Sequence, residues 1–482
     1  MCLKDLAAYD SDVIVRVLFV AYHFPPIGGG GVQRNAKFAQ YLPEFGYRPI
    51  VVTGPGGATG RWTPEDQTML EEVGADTVVH RIPGPEPDIS GGRRAALERR
   101  LMLKTPFARW WREGVVQLGT DIGGDADIVY GSLVPYESTE PVATLARRLG
   151  KPWIADLQDP WALDEMWLYP SGLHQRVDVR RMRRCLSSAA AIIMNTPEAA
   201  LRVQRAFPEL RDIVTAIPNG FDAADFEGAA PERRDGKFRI VHTGYLHTDQ
   251  GLRLRDVRWA RRILGGTAPG IDILPRSHVY LLQALEQLVR ADPQLATTVE
   301  VVLAGVMSPR DHEVAERSPV PVHFPGYLSH RETVGLLRSA DLLFLPMQDL
   351  PVRTLAGLVP GKTYEYLASQ RPILAAVPDG DARDLLEEAG SARLCRPTDT
   401  DAMRDLIALE IERWRAGEPV TTPKTDVLAR YERRELTRQL ADVLGAVAAS
   451  HPLSAARVES PSHRYVEAER PGYDAAMRRD GH

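Results

Sequence analysis

Apolar residues along the chain fall into two alternating patterns. Val13–Tyr22, VIVRVLFVAY, is a nearly continuous β-branched and apolar run, the signature of a strand covered on both faces. It leads into HFPPIGGGG, residues 23–31, where prolines and four glycines stop the strand and delay the next helix. From Val32 to Phe45 the apolar residues Val32, Ala36, Ala39 and Leu42 return at helical spacing, and Ile50–Thr53 reads as the next strand. Strand, glycine loop, helix and strand make a βαβ unit.

The alternation continues with predicted strands at 127–130, 152–155, 191–195 and 213–217, separated by helices at 140–149, 176–189 and 197–207. It stops at the turn Pro218-Asn219-Gly220. A second series has strands at 238–242, 299–304, 322–324, 342–345 and 372–376, with helices at 279–289, 331–339 and 362–369. Closing helices are predicted at 400–416 and 427–448. The pattern predicts an α/β chain of two doubly wound, Rossmann-like domains, residues 12–220 and 221–430. A closing helix at 431–449 and a polar tail at 450–482, expected to be disordered, follow. Residues 247–275 break the second alternation and read as an insertion. Two such domains bind ligands in the cleft between them, at the carboxyl ends of their strands.

Composition narrows the classes. The 482 residues carry 59 basic and 64 acidic side chains, a net charge of −5, against the basic excess a dedicated nucleic-acid binder needs. Three scattered cysteines, Cys2, Cys185 and Cys395, make neither a disulfide framework nor a zinc site. The absence of a long apolar run and of a signal-peptide pattern leads to the expectation of a cytoplasmic protein. Only seven of the basic residues are lysines, so each stands out.

Three segments carry candidate chemistry. The glycines Gly28–Gly31 follow a strand and precede a helix, where the backbone can approach a phosphate and helix N–H groups are free. The spacing is neither GxGxxG with an acidic ribose reader nor a P-loop. Asp156 and Asp159, in ADLQDPW, leave a predicted strand tip three residues apart. Either could accept a proton or hold a sugar hydroxyl; Asp159 before Pro-Trp could equally cap a helix. In VPGKTYEYLA, Pro360-Gly361 opens a helix whose first turn holds Lys362 and Glu365. A lysine there opposes the helix dipole, which makes sense if an anion binds at the same end. A plain surface salt bridge between the two fits the spacing as well.

These stretches, taken in order, resemble the family 4 glycosyltransferases of the GT-B fold, specifically bacterial polysaccharide-type members with an Asp-Phe-Arg-Asp-Pro-Trp motif. The matching segments are YHFPPIGGGGVQRNAKFAQYLPEFGYRPIVVT, DIVYGSLVPYESTEPVATLARRLGKPWIADLQDPW, IIMNTPEAA, IPNGFD, FRIVHTGY, and FPGYLSHRETVGLLRSADLLFLP through GKTYEYLASQRPILA. The resemblance implies two Rossmann-like domains facing a central cleft, and transfer of a sugar from a nucleoside-diphosphate-sugar to a hydroxyl acceptor. Retention of configuration, with no metal and no separate cofactor, is implied too. It places Gly29, Gly30, Gly31 and Gly244 at the donor phosphates or sugar. Arg276 and Lys362 become the diphosphate cations, Glu365 the ribose ligand, and Gly361 and Thr363 part of the donor loop. Asp159 joins Arg276 and Lys362 as a catalytic candidate; His23, Asp156 and Gln158 are candidate sugar or acceptor contacts.

Three positions depart from the pattern. Gly357 stands where the family has the first of two glutamates, which helps hold the donor sugar. Gln158 replaces the motif arginine. Leu282 replaces a lysine six residues after Arg276, so that Lys362 is left to supply the charge.

Residues 93–112 interleave seven basic residues with Leu97, Leu101, Leu103, Phe107, Trp110 and Trp111. Such a segment suits an anionic membrane surface, while a packed helix with a solvated basic face accounts for it equally. Peripheral contact with the inner face of the cell membrane is therefore an expectation, with a lipid-linked glycan or a small molecule as acceptor and no nucleic acid. Residues 175–185 and the insertion, with Arg253, Arg255, Arg258, Arg261 and Arg262, are similarly basic. The competing functions are a sugar-nucleotide epimerase of the same fold and a non-catalytic sugar-nucleotide-binding subunit.

Overall fold

A computed structural model describes residues 14–57, 65–71, 73–74, 77–88, 92, 97–98, 100–257, 260 and 263–451. The predicted tail beyond residue 451 and Arg93, Arg94, Arg99, Arg258, Arg261 and Arg262 lie outside the described residues.

Two parallel sheets dominate. The first comprises β1 (Val15–Ala21), β2 (Tyr47–Thr53), β3 (Val78–Arg81), β4 (Ile128–Ser132), β5 (Trp153–Leu157), β6 (Ala191–Met194) and β7 (Val214–Ala216), in spatial order β3-β2-β1-β4-β5-β6-β7. The second comprises β8 (Phe238–Thr243), β9 (Val299–Ala304), β10 (Val322–Gly326), β11 (Leu342–Pro346), β12 (Ile373–Ala376) and β13 (Ala392–Cys395), in order β10-β9-β8-β11-β12-β13. In each sheet the chain starts in the middle and reverses direction beside the first strand, placing a topological switch point at the ends of β1 and β8. β1, β4, β5, β6 and β11 are buried almost throughout, as strands covered by helices on both faces must be.

Two strands escape the sequence pattern, β3 and β13. Both are four-residue edge strands with largely half-exposed side chains, so neither has a continuous apolar run to betray it.

The described part of the predicted insertion is an excursion from the second lobe. Helix Thr248–Asp256 continues from Gly244, and the chain returns so closely that a Cβ on Gly251 would meet Leu274 Cα at 2.4 Å. Its far end touches the first lobe, where Tyr169 N donates to Gly266 O at 2.8 Å. The predicted closing helix at 427–448 is two helices, Thr425–Ala429 and Arg433–Ser450. The second does not close the second sheet: Leu436, Leu440, Leu444 and Val447 pack on the first, beside Val15, Phe19, Phe38 and Leu42. The chain therefore crosses between the lobes twice, at 217–221 and at 431–433.

The basic segment is partly core. Phe107 and Trp111 are buried, and Trp111 Nε1 donates to Ser138 Oγ at 3.0 Å. Lys104 and Arg112 share Glu140. No helix among the described residues is long and apolar enough to cross a membrane.

Candidate active site

A cleft cavity of about 370 Å³ opens where the ends of the two sheets face each other. The first lobe contributes Gly29, Gly31, Gln33, Gln158, Asp159, Asn195 and Asn219. The second contributes Gly244, Arg276, Gly305, His330, Gly361, Lys362 and Glu365, and the second crossing contributes Arg433.

At the end of β8 the chain turns through Gly244 with φ near +91°, a conformation glycine adopts without strain. A Cβ there would stand 2.9 Å from Lys362 Nζ, so the glycine also makes room for the lysine. Lys362 does not bridge to Glu365. Its Nζ lies 3.2 Å from His242 Nε2, while His242 Nδ1 lies 3.0 Å from Phe344 O. The Nδ1–H donates to that carbonyl, which leaves Nε2 to accept from the lysine. Desolvation in the cleft and the nearby Arg276 charge push Lys362 down to about 7. Two cations thus converge on a glycine turn at the carboxyl end of a strand, an arrangement that favours an anion.

Asp159 lies across the cleft from them. Burial raises its pKa, and Arg276 opposes that rise. Asp159 caps no helix with its side chain: only its carbonyl takes part in the turn, accepting from Trp161 N at 2.8 Å. Asp164, pushed up to about 8 by burial and by its like-charged neighbours Asp159 and Glu165, sits just behind.

Glu365 lines the cavity at the end that adjoins a small recess. Gln33 Nε2, from helix Gly30–Tyr41, reaches Glu365 Oε1 at 3.1 Å and His330 Nδ1 at 3.0 Å, and His330 Nε2 lies 2.8 Å from Asp225 Oδ2. A chain of polar groups thus joins the two lobes at this end.

Other predicted residues go elsewhere. Asp156 does not reach the cleft: it is fully buried, held by Arg34 Nε at 2.9 Å and Nη2 at 3.2 Å and by the Tyr130 hydroxyl. Its ion pair fixes helix Gly30–Tyr41 to β5. Gln158 lines the cleft but is itself engaged, donating to Gly31 O at 3.1 Å and thereby holding the glycine turn. His23 does not line the cavity; burial lowers it to about 4 and its Nδ1 has no partner. Gly30 begins the helix, and Thr363 is buried beneath the loop.

At Gly357 the structure shows what stands in the space a side chain would take. A Cβ would meet the Arg202 guanidinium at 3.1 Å. Gly357 N donates to Glu165 Oε1 at 3.2 Å, and Gly357 O accepts from Thr196 Oγ1 at 2.8 Å. Glu165 is ion-paired with Arg202, and its Oε1 also accepts from Gln348 Nε2 at 3.3 Å. Gln348 Oε1 in turn accepts from Arg276 Nη1 at 3.3 Å. A first-lobe carboxylate thus occupies the surroundings of Gly357 and reaches Arg276 through one amide. Glu165, Arg202, Gln348, Gln33 and Arg433 have no local motif; only their convergence from distant segments marks them.

Residues 29–220 match the family described as Glycosyl transferase 4-like domain. The glycogen synthase of Mycobacterium tuberculosis is 22% identical over 343 residues, 69% of this chain and 72% of that protein. Among solved structures, Anabaena Alr3699/HepE in complex with UDP-glucose aligns at a TM-score of 0.58 and 17% identity, covering 89% of this chain and 99% of that one. An E. coli structure described as trehalose-6-phosphate bound with UDP-2-fluoro glucose aligns at 0.57 and 13% identity, covering 89% and 98%. Residues 29–220 thus carry a glycosyl transferase 4-like domain, and the two parallel-sheet lobes around a cleft share the GT-B fold of these solved structures.

Proposed function

We propose that the chain transfers a sugar from a nucleoside-diphosphate-sugar to a hydroxyl acceptor, with retention and without a metal. The carrying observation is the pairing of Lys362 and Arg276 beside the Gly244 turn in the interlobe cavity. The relatives solved with UDP-glucose and UDP-2-fluoro glucose support this donor class.

In this reading the diphosphate lies against Gly244, Lys362 and Arg276, with the ribose toward Glu365. The bond from the anomeric carbon to the diphosphate oxygen breaks, and its electron pair leaves on the phosphate. The acceptor oxygen bonds to the same carbon, and its proton passes to the departing phosphate oxygen. Lys362 and Arg276 neutralise the charge as it develops, the kind of preorganised stabilisation whose loss costs about 10²–10³ in turnover per group. Asp159 orients a sugar hydroxyl. Lobe closure excludes water and protects the donor from hydrolysis.

A thermal-shift panel of nucleoside diphosphates and nucleotide-sugars tests the donor class, because a ligand that binds only the folded state raises Tm. The expected result is stabilisation by at least one of them; stabilisation by none counts against the reading. Lys362→Ala should lower turnover by about 10²–10³, and unchanged turnover removes the lysine from the mechanism. An acceptor requirement separates transfer from epimerisation.

We also propose peripheral contact with an anionic membrane, centred on Leu97, Leu101 and Leu103 rather than on the buried part of the basic segment. Exposed Leu97, Leu101 and Leu103 lie near exposed Leu173 and Val177, because His174 Nε2 hydrogen-bonds Arg100 O at 3.0 Å. Exposed Arg176 and Arg180 flank them. Flotation with vesicles containing phosphatidylglycerol, and not with phosphatidylcholine alone, is the expected result; loss of flotation in Leu101→Glu/Leu103→Glu would confirm the patch, and absence of flotation would remove it.

A further inference from the structure

The two chain crossings between the lobes run side by side. Phe221 N donates to Tyr431 O at 3.1 Å, and Arg433 N donates to Phe221 O at 2.8 Å. Gly220 permits this approach, since a Cβ there would overlap Tyr431 O. Each crossing places one polar side chain on the cavity wall, Asn219 on the first and Arg433 on the second.

Both carry an unsatisfied buried atom. Arg433 is 3% exposed, and its Nη1 has no hydrogen-bond partner. Glu365 and Asp222 attract it through space, Arg34 repels it, and burial lowers it to about 10. Asn219 is half-buried, and its Oδ1 is enclosed and without a partner. A buried arginine with an unmade hydrogen bond is costly in an unliganded protein, and natural structures keep few such groups. Its neighbours on the wall are Gln33, His330 and Glu365, which line both the main cavity and a small recess beside it. The recess adds Lys37 and Asp225.

We propose that Arg433 and Asn219 form a ligand-reading subsite on the two crossings, filled by the ribose-phosphate part of a nucleotide. This rests on the donor class proposed above. Arg433 donates to a phosphate oxygen, and Asn219 Oδ1 accepts from a ribose hydroxyl, beside Glu365. A phosphate supplies the hydrogen-bond acceptor that Arg433 Nη1 lacks, and a ribose supplies the O–H donor that the amide oxygen lacks. One bound molecule then touches both crossings, so donor binding and the relative setting of the lobes act on the same few residues.

Binding of nucleoside, nucleoside monophosphate and nucleoside diphosphate by the full chain tests this, with the base chosen from the thermal-shift panel. Arg433→Met is expected to weaken the diphosphate and the monophosphate by about 10- to 100-fold, the range for a hydrogen bond to a charged group. The nucleoside should change by less than threefold. Unliganded Arg433→Met should melt no lower than the wild type, because the variant removes an unsatisfied buried charge. Arg433→Lys should recover part of the affinity, and it provides a second readout if the methionine variant fails to fold. Asn219→Ala should weaken nucleoside and nucleotide alike. Unchanged phosphate affinity in both Arg433 variants, or equal losses for nucleoside and monophosphate, would overturn the subsite while leaving the donor class standing. A fall of several degrees in the unliganded melting temperature with unchanged affinity would make Arg433 structural. Failure of every nucleotide to bind the wild type would remove the donor class and the subsite together.

Discussion

At the scale of single residues, ionisable side chains divide by what surrounds them. Lys362 is held near 7 instead of the ordinary 10.5 by desolvation and by Arg276. A diphosphate beside it restores the charged form, so binding above pH 7 takes up a proton. Nucleoside-diphosphate affinity should therefore fall as pH rises from 7 to 9, and calorimetry in buffers of different ionisation enthalpy should register the uptake. The same group affects stability with the opposite sign. Its folded pKa lies below its unfolded one, so between about 7 and 10.5 the unfolded chain binds more protons. Its contribution to stability accordingly rises with pH across that window. Asp156 illustrates the other fate. Its sequence neighbourhood, three residues before Asp159, suits a cleft residue, yet the structure pairs it with Arg34 inside the core. Asp156→Ala leaves a buried guanidinium uncompensated and should cost about 3–5 kcal/mol in denaturant unfolding. No spacing rule separates the two aspartates, because the side of β5 on which each carboxylate emerges depends on where helix Gly30–Tyr41 packs.

Among elements, the loop at Gly357 and helix Pro197–Ala206 show how one position is built from two lobes. Thr196, Glu165 and Arg202 engage the backbone at 355–357, with Arg202 Nη2 donating to Leu355 O at 2.6 Å. Restoring a glutamate at Gly357 therefore meets an arginine already in place. Gly357→Glu should displace Arg202 from Glu165 and loosen these contacts between the lobes, read as a higher KM for donor and faster hydrogen exchange at 355–357. Unchanged exchange would show that the loop yields more easily than its hydrogen bonds suggest. The glycine turn at 28–31 is legible in sequence as a turn between strand and helix, and Gly29 and Gly31 line the cleft. Its retention by Gln158, which replaces the motif arginine, is not legible there, because the amide spans 127 residues to reach Gly31 O.

The whole molecule is held together by a chain that leaves the first lobe and returns to it. Helix Arg433–Ser450 buries Leu436, Leu440 and Leu444 against the first sheet. Leu440→Ala should destabilise the first lobe by about 2–5 kcal/mol, measured by chemical unfolding. Truncation before residue 431 should expose that face and remove Arg433 from the cleft, so that solubility and nucleotide binding fail together. Sequence alone determined the strand–helix alternation, the two lobes, the glycine turn and the helix that opens at Lys362, because periodicity and local motifs are properties of neighbouring residues. The short edge strands β3 and β13 stayed hidden, since a half-exposed four-residue strand has no distinctive period. Only the tertiary structure decided that the last helix crosses back, that Asp156 is structural, and that Glu165 occupies the surroundings of Gly357. The physical reason is shared: partners that meet across a cleft are chosen by packing and by the need to satisfy buried charge, and sequence spacing specifies neither.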